Sequence, residues 1–259
     1  QQARASADEM REWRGCGTLI PAHGFLKKGD LEDEAPARLP WSCALVSDHY
    51  ESLACAYVRG SLPGLADDMP VNDVIARGQA AGLKLHRFKR TIELPRVRAV
   101  LGILRGLSPE SVLDIGTGRG VFLWPLLDAF PNLLVTTVEP DEQRFRHLDA
   151  VRRGGITRLS TIHADAVLLP NGDGAFDIVT VLEVLEHQHN PQALARSAVR
   201  LARRFVIASV PSKPDDNPEH VQLFDRQSLT ALLINAGAET VSIDYVLNHI
   251  IALARIAPR

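Results

Sequence analysis

From Ser111 onward the chain alternates short β-branched or apolar runs with stretches of helical period. The order is Val112–Ile115, a helix through Phe130, Leu134–Glu139, a helix from Asp141 to about Arg153, Leu159–His163 and Phe176–Leu182. Alternation of this kind predicts βαβ units and a parallel sheet. Asn190 and Pro191 then read as the N-cap and first position of a helix that turns Leu194, Ala198 and Leu201 inward at i, i+4 and i+7. A strand Phe205–Val210 follows, then a polar loop, Pro211–Glu219. The next helix runs from about Arg226 to Ala236, capped by Asp225 and closed by Gly237. Two last β-like runs, Thr240–Val246 and His249–Ile256, are separated only by Leu247-Asn248. That gap suits a hairpin, which adds an antiparallel strand to an otherwise parallel sheet.

The first 110 residues read differently. Residues 1–70 carry Pro21, Pro36, Pro40, Pro63 and Pro70, the acidic cluster Asp30, Glu32, Asp33 and Glu34, and only short apolar stretches such as Ala44–Val46. This predicts an irregular appendage or lid more than a second core. Residues 71–107 predict two helical pieces broken at Pro95. The chain therefore divides into an N-terminal cap and substrate region, 1–98, and a ligand-binding α/β domain, 99–259.

Composition narrows the classes. With 259 residues, 46% of them hydrophobic, the chain has ample material for a self-supporting core. Lys plus Arg number 29 against 31 Asp plus Glu, a net charge of −2, so no global basic field advertises nucleic acid or anionic membrane. No apolar run approaches the roughly 20 residues of a membrane span, and the first residues contain no apolar signal core. Three cysteines are too few, and odd in number, for a disulfide framework. A soluble, cytoplasmic protein is expected. Cys16, His23, Cys43, His49 and Cys55 could supply zinc ligands, but they lack the tight Cys-x-x-Cys knuckle and read better as core cysteines and surface histidines. Lys84, Arg87, Lys89, Arg90, Arg96 and Arg98 face one acid, Glu93. They read as a solvated helix face, or as an anion- or RNA-binding surface. Trp13, Trp41, Phe88 and Trp124 are candidates for a substrate pocket, although core packing is the simpler fate of each.

The chemistry concentrates at strand ends. Val112–Ile115 runs straight into Gly116-Thr117-Gly118-Arg119-Gly120 and a helix, so small residues lie where backbone must turn sharply and approach a ligand. A dinucleotide fingerprint needs a third small residue at position 121, which here is Val121. Asp114, inside the strand end, would repel a pyrophosphate but suits an ammonium group or the water around it. Glu139 ends the next strand, where a carboxylate can accept both ribose hydroxyls. After the third strand, Asp165 and Ala166 stand where a carboxylate can take the exocyclic amino group of adenine. Ammonium, ribose and adenine without phosphate describe the ligand.

The motifs VLDIGTGRG, VTTVEP, HADA and FDIVTVLEVLEH resemble, in order and spacing, those of class I S-adenosylmethionine-dependent methyltransferases. The match covers roughly residues 100–256. The resemblance implies a doubly wound, seven-stranded Rossmann-like sheet of order 3-2-1-4-5-7-6 with strand 7 antiparallel, carrying the N-terminal cap. It implies cofactor contacts from Asp114, Gly116, Thr117, Gly118, Gly120, Glu139, Asp165, Ala166 and Glu183.

The fourth strand runs into Glu183-Val-Leu-Glu186-His187, and His220 follows the fifth strand, whose carboxyl end neighbours that of the fourth. Two carboxylates and two imidazoles could hold a hard divalent ion such as Mg or Mn, with Glu183 and His187 one turn apart if the segment is helical. A metal with open positions could bind an acceptor hydroxyl, or a vicinal pair, and lower its pKa. His189 is a substitute ligand on what reads as an exposed turn. The arrangement is similar to that of ubiquinone-pathway O-methyltransferases and of small-RNA 3′-terminal 2′-O-methyltransferases. Both place ligands at Glu183, Glu186 and His187, and only the RNA enzymes add His220. Without a metal, Glu183 helps close the cofactor pocket, while Glu186 and His187 shape the acceptor pocket and His187 or His220 serves as base. Pro211, Pro214 and Pro218 suggest a fixed conformation for the loop that should line this pocket.

The expected activity is O-methylation of a small-molecule acceptor. The rivals are ribose 2′-O-methylation of RNA, using Lys84–Arg98 to track phosphates, and a catalytically silent, cofactor-binding partner subunit. An oxidoreductase is disfavoured by Val121 and Asp114.

Overall fold

Among the described residues seven strands carry the architecture: β1 (Ser111–Ile115), β2 (Leu134–Val138), β3 (Leu159–Ile162), β4 (Phe176–Leu182), β5 (Ala202–Pro211), β6 (Thr240–Val246) and β7 (His249–Arg255). In the computed structural model, which describes residues 48–258, they form one sheet of order β3-β2-β1-β4-β5-β7-β6. The first five strands pair in parallel, and β7 runs antiparallel to both β5 and β6, as the terminal hairpin predicts. Among the described residues seven α-helices accompany them: α1 (Glu51–Ser61), α2 (Val71–Ala80), α3 (Pro95–Leu107), α4 (Leu123–Ala129), α5 (Glu142–Arg153), α6 (Pro191–Leu201) and α7 (Arg226–Asn235).

The strand period of two sorts side chains to opposite faces. Leu113, Val179, Val181, Val206 and Ala252 join α6 and α7 in one core. Their neighbours Val112, Ile178, Ile207 and Ile251 join α1, α3, α4 and α5 in the other. Both faces are dry, which is why the central strands read as continuous apolar runs. The caps agree with the sequence: Asn190 Oδ1 accepts from Ala193 N–H at 3.4 Å, and Asp225 and Ser228 form a reciprocal capping box. Leu194, Ala198 and Leu201 are all buried.

Two expectations about the N-terminal third change. Residues 51–61 are not an irregular appendage: α1 buries Leu53, Ala54, Ala56 and Tyr57 in the sheet-covering core. It crosses α5 so closely that a Cβ on Gly60 would lie 1.8 Å from the Ala150 carbonyl, and one on Gly154 1.7 Å from the Ala56 carbonyl. Small residues, not large apolar ones, make this contact, so the hydrophobic pattern is faint. Pro95 does not break a helix but starts α3 at its first turn, where a missing N–H is harmless. α3 runs through position 98 and buries Val97, Val100, Leu101 and Leu104, so the described part of the cap region continues into the core.

Candidate active site

A cleft of about 620 Å³ opens at the carboxyl ends of β1, β2 and β4, where a doubly wound sheet places its ligands. Asp114 lies at its floor, buried, accepting hydrogen bonds from Thr180 Oγ1 at 2.6 Å and Thr117 Oγ1 at 2.8 Å. Burial pushes its carboxyl up to about 6, although the two hydroxyls pull it back. The turn above it needs glycine for two reasons. Gly116, Gly118 and Gly120 all have positive φ, a region that side chains rarely enter. A Cβ on Gly116 would also lie 2.6 Å from Val184 Cγ2, and one on Gly120 2.1 Å from the Trp124 ring.

Glu139, buried at the end of β2, accepts from Gly118 N–H at 2.8 Å and Asp141 N–H at 3.1 Å, so it ties the glycine turn to the second strand. A carboxylate has about four lone-pair sites, which leaves capacity for ribose hydroxyls. Asp165 Oδ1 accepts from Val167 N–H at 2.9 Å, and its neighbour Ala166 is buried against the cleft. The structure thus brings Asp114, Gly116, Thr117, Gly118, Glu139, Asp165, Ala166 and Glu183 around one cavity. Gly120 stands behind it, against Trp124.

The segment after β4 divides in two. Glu183 takes a left-handed φ of 58°, so the conditional helix through Glu183–His187 does not form; only Leu185–His187 makes a short 3-10 turn. Glu183 Oε1 accepts from Ser209 Oγ at 2.7 Å, and Oε2 lies 3.1 Å from His249 Nε2 and 3.9 Å from Arg96 Nε. Glu186 turns the other way. It is 1% exposed, and neither carboxylate oxygen has a hydrogen-bond partner. Burial, with the charges of Glu183 and Asp215 added, pushes its carboxyl up to about 8.

His187 and His220 meet Glu186 there, with one ligand atom from each residue within 4.8 Å of the others. The two rings are 4.8 Å apart, edge to face. The Glu186 carbonyl accepts from Val221 N–H at 2.9 Å and Gln222 N–H at 3.2 Å, which anchors the loop that carries His220. His187 also lines the cleft, so the cluster adjoins the cofactor positions. Glu183 is not among the three, and His189 is exposed on its turn. One carboxylate and two imidazoles form a donor set suited to a divalent ion. The orphaned Glu186 oxygens, costly to bury without a partner, fit that role.

Other expectations resolve simply. Phe88 and Trp124 are core residues with ring centroids 4.9 Å apart. Trp13, Trp41, Cys16, His23 and Cys43 lie outside the described residues. Cys55 is buried in α1, and among the described residues no ligand cluster includes it or His49. Four of the six cations in 84–98 have partners on the protein: Arg87 with His147, Arg90 with Asp128, Arg96 with Glu183 and Arg98 with Glu93. No helix among the described residues is long and apolar enough to cross a membrane.

Sequence reasoning placed Ser209 and Asp215 only within a loop expected to line the acceptor pocket, and Arg96 only in the basic stretch, without giving any of them a role, and it did not single out Glu219 or His249. His249 was within reach: in an antiparallel β5–β7 pair the first residue of β7 lies opposite the last of β5, and His249 indeed pairs with Pro211.

A doubly wound sheet with a glycine turn and acids at three successive strand ends forms a cleft suited to an adenosyl ligand. The chain belongs to the methyltransferase-domain family, whose model matches residues 85–243. It is 27% identical over 100 residues to a ubiquinone biosynthesis O-methyltransferase of Cupriavidus pinatubonensis, covering 39% of this chain and 40% of that protein. It is 25% identical over 143 residues to norajmaline N-methyltransferase of Rauvolfia serpentina, covering 50% and 49%. The chain thus spans about two-fifths to half of the length of these curated relatives. Among solved structures, a SAM-dependent methyltransferase from Aquifex aeolicus superposes with a TM-score of 0.55 at 20% identity, over 64% of this chain and 92% of that one. That likeness shows the fold.

Proposed function

We propose that the chain transfers the methyl group of S-adenosylmethionine to a hydroxyl or carboxyl oxygen of a small-molecule acceptor held beside Glu186, His187 and His220. The observation that carries this reading is the buried, unpartnered Glu186 carboxyl facing two imidazoles at the edge of the cofactor cleft. Asp114 receives the ammonium group or its water, Glu139 the ribose hydroxyls, and Asp165 the adenine amino group. The methyl carbon leaves the sulfonium sulfur with the C–S bonding pair staying on sulfur. A C–O bond forms in line, and the acceptor proton is released to solvent.

Such a displacement gains most from alignment and from exclusion of water. Arg96, Glu183 and Ser209 line the same cleft and would wall its acceptor side. Glu186, His187 and His220 would hold a divalent metal, which when bound lowers the pKa of an acceptor hydroxyl.

A small acceptor is favoured over RNA because most of the cations in 84–98 are engaged within the protein, leaving little to track phosphates. The test is S-adenosylhomocysteine binding by calorimetry, followed by methyl transfer to phenols, vicinal diols, carboxylic acids and an RNA oligonucleotide with a free 3′ diol. Binding with turnover of a small oxygen acceptor supports the reading. Turnover of the RNA alone would shift the acceptor to ribose, and failure to bind S-adenosylhomocysteine would leave the silent-subunit alternative.

A further inference from the structure

The loop between β5 and α7 carries more than a ligand. His187 Nδ1 lies 3.0 Å from the Glu219 carbonyl oxygen. A carbonyl only accepts, so this nitrogen bears the proton and the Nε2 of neutral His187 keeps a lone pair. His220 Nδ1 lies 2.8 Å from Asp215 Oδ1, an acceptor when ionised, which fixes the same tautomer in the second ring. Asp215 is itself held: Oδ1 also accepts from Asn217 N–H at 3.1 Å. Asn217 Oδ1 accepts from Glu219 N–H at 3.1 Å, and the Asn217 carbonyl from His220 N–H at 3.0 Å. The 215–220 loop is thus folded around the two acceptors that orient the rings, and its far end is pinned to the Glu186 carbonyl.

We propose that Asp215 is a positioning residue: it sets His220, as the Glu219 carbonyl sets His187, so that both Nε2 atoms and the buried Glu186 carboxylate form a three-donor divalent-cation site. This rests on the metal reading of the acceptor side. Glu183 stays out of the set, because its left-handed backbone turns it toward Ser209 and His249, away from the cluster of Glu186, His187 and His220. Three protein donors leave positions on a Mg or Mn ion open to water or to acceptor oxygens. A second partner that orients a ligating histidine is worth about 10- to 100-fold in metal affinity.

The test is a Mn2+ titration of the full chain loaded with S-adenosylhomocysteine, with free Mn2+ read by electron paramagnetic resonance. Wild type is expected to bind one ion per chain, and Glu186→Gln to lose it. Asp215→Ala should weaken binding about 10- to 100-fold, while Asp215→Asn, which still accepts from Nδ1, should retain most of it. S-adenosylhomocysteine affinity, unchanged in both Asp215 variants, reports that they are folded. Mn2+ affinity at the wild-type level in Asp215→Ala, or no Mn2+ bound by the wild type, would overturn the proposal. If S-adenosylhomocysteine itself fails to bind, the methyltransferase reading falls instead, and the same titration without it still decides the metal site.

Discussion

Replacing Asp114 with Asn should stabilise the free protein and weaken its cofactor binding. The carboxyl is fully enclosed at the end of β1, and its pKa rises from 3.8 to about 6, chiefly through burial. A raised carboxyl pKa means that the folded state holds a proton that the unfolded chain has released. Stability from this group is therefore complete below about pH 4 and is lost as pH rises through about 6. A shift of about two units corresponds to about 3 kcal/mol at 1.36 kcal/mol per unit. Asn mimics the protonated acid, with one acceptor and one donor for the Thr117 and Thr180 hydroxyls, and it does not titrate. Urea unfolding from pH 4 to 8 should show the two proteins close together at the acid end and Asp114→Asn more stable by up to about 3 kcal/mol above pH 6. In the presence of S-adenosylhomocysteine the order should reverse. A lost hydrogen bond to a charged group, about 1.5–3 kcal/mol, predicts affinity about ten- to a hundredfold weaker by calorimetry. If Asp114→Asn is no more stable than wild type at pH 8, or binds the ligand as tightly, the ionised acid is not held there for a cation.

The glycine turn separates backbone strain from steric clash. Gly118→Ala meets nothing closer than 3.8 Å and should cost only about 1–2 kcal/mol for its left-handed φ, whereas Gly120→Ala also collides with Trp124 and should cost about 1–3 kcal/mol more by chemical denaturation. Equal losses would refute the clash. Asp177 is buried, but the Glu110 N–H and the Arg203 guanidinium outweigh that burial and hold its carboxyl below the usual range. Its contribution is present at neutral pH and should fade as pH falls through the lowered pKa, and Asp177→Ala, which orphans the Glu110 N–H, should lower stability by about 1–3 kcal/mol. Charge reversal at the exposed Lys84 and Lys89 should leave turnover of a small acceptor within about twofold. A large loss of turnover confined to RNA acceptors would instead make that surface functional.

The sheet and the cofactor cleft were legible because their signals are local. A strand that ends in glycines, or in an acid where the next helix begins, displays its role within ten residues, and the βα repeat dictates that such ends share one edge. Helix α1 was not legible for the opposite reason: its packing on α5 depends on Gly60 and Gly154 letting two backbones touch, and small residues carry little hydrophobic signal. The acceptor side was legible as a list of residue types but not as an assignment. Whether Glu183 or Glu186 joins His187 turns on one φ angle, and Asp215 acquires a role only because the loop folds back to place it 2.8 Å from His220.

That φ angle has a consequence for how the site is organised. Left-handed backbone at a side chain as large as Glu183 is strained by about 1 kcal/mol or more, and a glycine would relieve it. Glu183 nevertheless follows directly on the last residue of strand β4, and the strained peptide is held by the Glu183 N–H bond to the Ser209 carbonyl at 2.9 Å. The turn that results sends Glu183 toward Ser209, Arg96 and His249 and, three residues on, sends Glu186 into the protein interior. Two carboxylates that a regular helix would stack on one face, where like charges repel, are thereby separated into two environments. One is hydrogen-bonded to the Ser209 hydroxyl and partly open to solvent, and the other is buried without a partner, which pushes its carboxyl up to about 8. A pair of acids whose surroundings divide them in this way can serve two different tasks at one strand end.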